Sequence, residues 1–151
     1  MKRLIGVLTF AMVMGSVLGQ TAKVVSAYNY LRNGQLDKAK EAIDPTITHE
    51  KTMGAAKTWF YRGNVYLAIQ LSDDPKYQGL STQALEIAHE SYAKAVELDQ
   101  KKEYAGEIQD RFLIISEQFY NRGVTGYNNQ TFAQAAQDFI KAKDINASFG
   151  R

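Results

Sequence analysis

One arrangement of small and large residues occurs twice in this chain, with a weaker third copy, and it limits the fold more than any other feature. Trp59, Gly63 and Tyr66 are followed by Ala88, Tyr92, Ala95 and Leu98. Phe119 and Gly123 are followed by Ala135, Phe139, Ala142 and Ile145. The order and the helical spacings agree, as they must in helix pairs that stack on copies of themselves. A glycine inside a helix costs ~1 kcal/mol relative to alanine, so Gly63 and Gly123 predict close approach by another helix. Ala88, Ala95, Ala135 and Ala142 are expected to present the matching small surfaces. Trp59, Tyr92, Phe119 and Phe139 are expected to fill the spaces between layers. A plain antiparallel bundle would use the same alternation.

The rest of the chain also reads as all-α. Its two prolines, Pro45 and Pro75, each follow an aspartate, where a helix stops and a loop begins. No stretch alternates with period two, so no strand is expected. Apolar periodicity predicts six helices: 21–32, closed by Asn33-Gly34; 36–43; 50–70; 81 or 82 to 99; 102–126; and 131–146, with Thr131 as N-cap. A polar loop is expected from Ser72 to Gly79.

The first residues read as a secretory leader. Met1-Lys2-Arg3 is basic, and Leu4 to Leu18 is apolar and uncharged. Val17-Leu18-Gly19 offers small or aliphatic residues for cleavage before Gln20. The run is shorter than the ~20 residues that span a bilayer, so cleavage of 1–19 is expected rather than anchoring, with no membrane insertion afterwards. Of the 18 basic side chains, Lys2 and Arg3 lie in the leader, so the remainder balance the 16 acidic ones. That balance carries no nucleic-acid footprint. With no cysteine, disulfides, thiolate chemistry, Cys-based zinc sites and lipid attachment after the leader are excluded. Residues 20–151 suit one domain.

The repeated residues resemble the tetratricopeptide pattern W-x2-L-G-x2-Y…A-x3-F…P. The middle unit, about 50–100, has Trp59-x2-Arg62-Gly63-x2-Tyr66 and Ala88-x3-Tyr92, with Gln100 in place of the proline. The last, about 102–147, has Phe119, Gly123, Ala135 and Phe139 in register, with Gly126 for the tyrosine. The first, about 21–47, keeps Ala27, Tyr30, Gly34, Leu36, Ala39 and Ile43, with Lys23 where an aromatic is expected. The middle unit is longer between its halves than the last, which places an insertion near 71–81. The resemblance implies a right-handed α-solenoid of about three helix-turn-helix units. It implies a non-catalytic scaffold or adaptor that binds a protein or peptide, with a Gram-negative periplasmic envelope assembly as the expected setting. A self-associating structural subunit of an envelope complex is the alternative, and a homo-oligomer is compatible with either.

In that family the first helix of each pair lines the concave face. The resemblance then points to Tyr28 and Arg32 on the first unit and to Lys57, Phe60, Tyr61 and Asn64 on the second. On the third it points to Glu117, Tyr120, Asn121, Tyr127 and Asn128. Tyrosine offers area with a polar tip and asparagine pairs with peptide backbone; packing against the next repeat is the competing use. The family's carboxylate clamp is not expected, because Val24, Tyr28 and Glu117 occupy its positions. Nothing points to a cofactor, metal site or catalytic centre. His49 and His89 are isolated, His89 reading as a surface or interface residue. Hydrolase, metalloprotease and phosphate-loop motifs are missing. Asp73-Asp74 lacks a calcium loop around it. The last helix is expected to present a polar outer side through Gln134, Gln137, Asp138, Lys141 and Lys143, as the end of an array needs.

Overall fold

The computed structural model describes Gly19 and residues 21–148. The leader expected over 1–19 lies outside the described residues except at Gly19. Among the described residues the fold is all-α, with no strand. Helix α1 covers residues 21–32 and α2 Leu36–Ile43, followed by a 3-10 turn, Asp44–Ile47. Helix α3 is Ala56–Gln70, α4 Pro75–Gln78, α5 Ala84–Leu98, α6 Ala105–Asn128 and α7 Phe132–Ala147. None of these is long and apolar enough to cross a membrane.

Several boundaries differ from the sequence expectation for local reasons. Residues 50–54 form turns rather than the start of α3. There the Thr52 hydroxyl donates to the carbonyls of Thr46 and His49, and the Trp59 indole donates to that of Met53 at 2.6 Å. The polar loop contains a helical turn, α4, started by Pro75 and capped by Asp74, whose Oδ1 accepts from the Lys76 amide at 2.9 Å. Thr131 precedes α7, but its hydroxyl donates back to Gly126 O at 2.9 Å instead of capping the helix.

Helix α3 packs most extensively on α5, and α6 on α7; α2 packs on α3 and α5 on α6 over smaller areas. Both large pairs run antiparallel. Within each, a glycine of the first helix lies directly under a ring of the second. A Cβ on Gly63 would lie 2.6 Å from the Tyr92 ring, and one on Gly123 would lie 2.8 Å from the Phe139 ring. The close partner is therefore an aromatic face, not alanine as expected. The alanines Ala88, Ala95, Ala135 and Ala142 are buried beside it. Trp59 is only half-buried, while Phe119 and Tyr92 are wholly buried.

The residue before each glycine repeats as well. Arg62 donates to Ser91 Oγ at 3.0 Å and pairs with Asp44 at 3.5 Å. Arg122 donates to both oxygens of Asp138 and to Glu86 at 2.6 Å. Arg62 thus joins α5 to the turn after α2, and Arg122 joins α7 to α5. Asp138, expected on the polar outside of α7, is wholly buried by this arrangement. The segment around α4 is tied to the turn between α1 and α2: Tyr77 is buried and its hydroxyl donates to Gly34 O at 2.7 Å.

Candidate functional site

Helices α1 and α3 and the start of α6 converge on one cleft of about 490 Å³. Helix α1 contributes Tyr28 and Leu31; α3 contributes Phe60, Tyr61, Asn64, Leu67 and Ala68, with Leu71 just beyond it. Tyr92 of α5 forms part of the floor. Tyr104, immediately before α6, and Glu107 and Arg111 on α6 complete the wall.

Its aromatic groups are arranged in order. Tyr28 and Tyr61 stack across α1 and α3 with centroids 4.9 Å apart and an interplanar angle of 18°. Arg32 lies over Tyr28 at 5.7 Å and Lys57 over Tyr61 at 5.6 Å, so a cation borders each end of the stack. Phe60 stacks on Tyr104 at 4.5 Å. Phe60, expected on the concave face, lines the cleft but is only 4% exposed, because Tyr104 covers it.

Asn64 is oriented by Tyr92, whose hydroxyl donates to Asn64 Oδ1 at 2.6 Å. Burial raises the Tyr92 phenol well above its ordinary value and keeps it a donor. Burial also raises Tyr61, aided by Tyr104, Tyr28 and Glu107, and raises Tyr104, aided by Glu103, Asp99 and Glu107. These phenols stay neutral at physiological pH. Arg111 Nε is buried with no hydrogen-bond partner, a donor left unspent in the wall.

Of the eleven residues expected on the concave face, Tyr28, Phe60, Tyr61 and Asn64 line the cleft, with Arg32 and Lys57 over its ring stack. Glu117 and Tyr120 line a separate depression between α6 and α7. Asn121, Tyr127 and Asn128 are exposed farther along α6 and do not line the cleft. Tyr104, Glu107 and Arg111 were not expected there. Their only signal was an aromatic and charged start to the long helix.

His89 is half-buried, its ring edge-on to Phe112 and Phe119 of α6 at 5.6 and 6.2 Å. Among the described residues no group of three or more His, Asp or Glu side chains could hold a metal ion. Comparison with protein-family models, with curated proteins and with solved structures returns no match.

Proposed function

We propose that this chain is an exported, tetratricopeptide-like solenoid with pairs α1–α2, α3–α5 and α6–α7, acting without catalysis as a peptide- or protein-binding adaptor in a cell-envelope assembly. Two matched sets of contacts support the repeat: Gly63 under Tyr92 with Arg62 on Ser91, and Gly123 under Phe139 with Arg122 on Asp138. The leader supports export.

The observation that carries the binding role is the cleft formed where α1, α3 and the start of α6 meet. Stacked Tyr28 and Tyr61 offer flat apolar area, suited to proline or aromatic side chains. Asn64 and Arg111 offer donors for main-chain carbonyls passing over that area. The cleft is open, as an extended segment needs.

The test is selection from a displayed random-peptide library, with the affinity of selected peptides then measured by fluorescence polarisation. Peptides should bind the native chain and lose roughly tenfold or more in affinity to Tyr61→Ala and Arg111→Ala. Failure to enrich any sequence, or binding indifferent to both changes, would reject the cleft as the site.

A further inference from the structure

The depression between α6 and α7 repeats a slot that is filled elsewhere in the fold. In the α3–α5 pair, Phe60 and Tyr92 lie 6.2 Å apart at 57°. In the α6–α7 pair, Tyr120 and Phe139 lie 5.5 Å apart at 56°. Tyr120 follows Phe119 as Phe60 follows Trp59. The first slot is closed by Tyr104, an aromatic residue at the start of a helix, which stacks on Phe60. Among the described residues no such ring lies over the second slot, about 570 Å³ between Leu113, Glu117, Tyr120, Phe139 and Lys143. Phe60 is 4% exposed; Tyr120 is 56% exposed.

The same face carries a ring of the kind the slot takes. Phe132 is the first residue of α7, is 57% exposed, and packs edge-on to exposed Tyr127 at 5.4 Å. It lies two helical turns from Phe139 on one stripe of α7. Slot and ring thus occupy opposite ends of a single surface. Exposed Glu117 and Lys143 give the slot both signs of charge.

We infer that this surface is a two-fold interface between two copies of the chain, each inserting Phe132 into the partner's slot over Tyr120 and Phe139. A surface that holds both the plug and the socket complements itself under a two-fold rotation. The axis passes near Ala136 on α7, between Phe132 and Phe139. The interface is separate from the peptide cleft.

Sedimentation equilibrium of the chain, purified after expression with its own leader, tests this. The native chain should reach twice the monomer mass, and Phe132→Asp and Tyr120→Asp should each weaken association roughly tenfold or more. Val25→Asp, exposed on α1, should leave it unchanged. Because the chain has no cysteine, Ala136→Cys beside the axis should form a disulfide dimer on mild oxidation, whereas Val96→Cys on α5 should not. A native chain monomeric at every concentration, a dimer that survives both aspartates, or cross-linking through Val96→Cys but not Ala136→Cys would overturn the interface.

Discussion

Arg122 holds Asp138 with two charge-assisted hydrogen bonds, Nε to Oδ2 at 2.9 Å and Nη2 to Oδ1 at 2.7 Å. Asp138 is wholly buried, and its remaining side-chain contact is Gln134 at 3.4 Å. Removing one partner of such a pair costs more than the pair contributes, because the other charge stays buried. Arg122→Ala should therefore destabilise the chain by about 3–5 kcal/mol. Asp138→Ala should cost less, since Arg122 remains partly solvated and keeps Glu86. Urea denaturation of the two variants checks the order.

Gly63→Ala and Gly123→Ala should separate. Each gains up to about 1 kcal/mol of helix propensity. At Gly63 the new methyl meets Tyr92, which is wholly buried and anchored by Asn64. Overpacking there should cost about 1–3 kcal/mol. At Gly123 the ring is Phe139, half-buried with room to move, so the change should come out near neutral. Thermal melting that ranks Gly123→Ala as the worse variant would contradict this.

Arg111 should show opposite effects on stability and on binding. Its Nε is buried without a partner, a position where an apolar replacement removes an unmet desolvation cost. Arg111→Met should leave the melting temperature unchanged or raised, while peptide affinity in the cleft falls. A large loss of stability would show that the guanidinium is satisfied.

Acid should weaken the α5–α6 contact in two steps. Burial between the α6 rings lowers the pKa of His89, and Lys141 adds to the effect against the opposing pull of Glu90 and Glu86. The unfolded chain then binds the proton more readily. Stability from this site is complete above about pH 6.5 and declines as pH falls below it. Burial opposes ionisation of Glu86, but hydrogen bonds from Arg122 and the backbone and the charges of Arg122 and Lys141 outweigh it and hold the carboxyl below its ordinary value. Its contribution is present above about pH 4.5 and is lost as pH falls further. Melting curves of His89→Leu should be flatter between about pH 7 and pH 5 than those of the native chain. Glu86→Gln should flatten only the more acidic range.

Tyr77→Phe removes the hydroxyl that reaches Gly34 O and leaves that part-buried contact unmade, at a cost of about 1 kcal/mol. The exposed pair Lys76–Asp37 nearby, at 3.2 Å, should contribute nothing measurable, as is usual at a surface. A double-mutant comparison by chemical denaturation distinguishes the two.

The helices and their pairing were legible because packing imposes a period. Gly63 and Gly123 marked close approach, although the neighbour proved to be Tyr92 or Phe139 rather than alanine. The dipeptides Arg62-Gly63 and Arg122-Gly123 were in plain view, but nothing local says that an arginine beside a packed glycine will reach a buried Asp138. Tyr28, Tyr61 and Asn64 line the cleft because their register on α1 and α3 sets their direction. Tyr104 and Arg111 were missed because their place depends on how the start of α6 crosses α3, a relation between segments distant in sequence. Phe60 lines the cleft yet is almost wholly buried for the same reason: Tyr104 covers it. Nothing in the periodicity of α7 separated buried Asp138 from exposed Phe132.

An array whose units touch only their neighbours is free to melt from its ends, one pair at a time. The two shared arginines oppose that. Detaching α7 strips Arg122 of its buried carboxylate while Glu86 still holds it to α5; detaching α3 from α5 takes Arg62 from Ser91 while it still faces Asp44. Partial opening at either junction leaves a cation with half its counter-charges or acceptors. Slow amide exchange should consequently report one shared opening event across α3, α5, α6 and α7, not a staircase of separate ones.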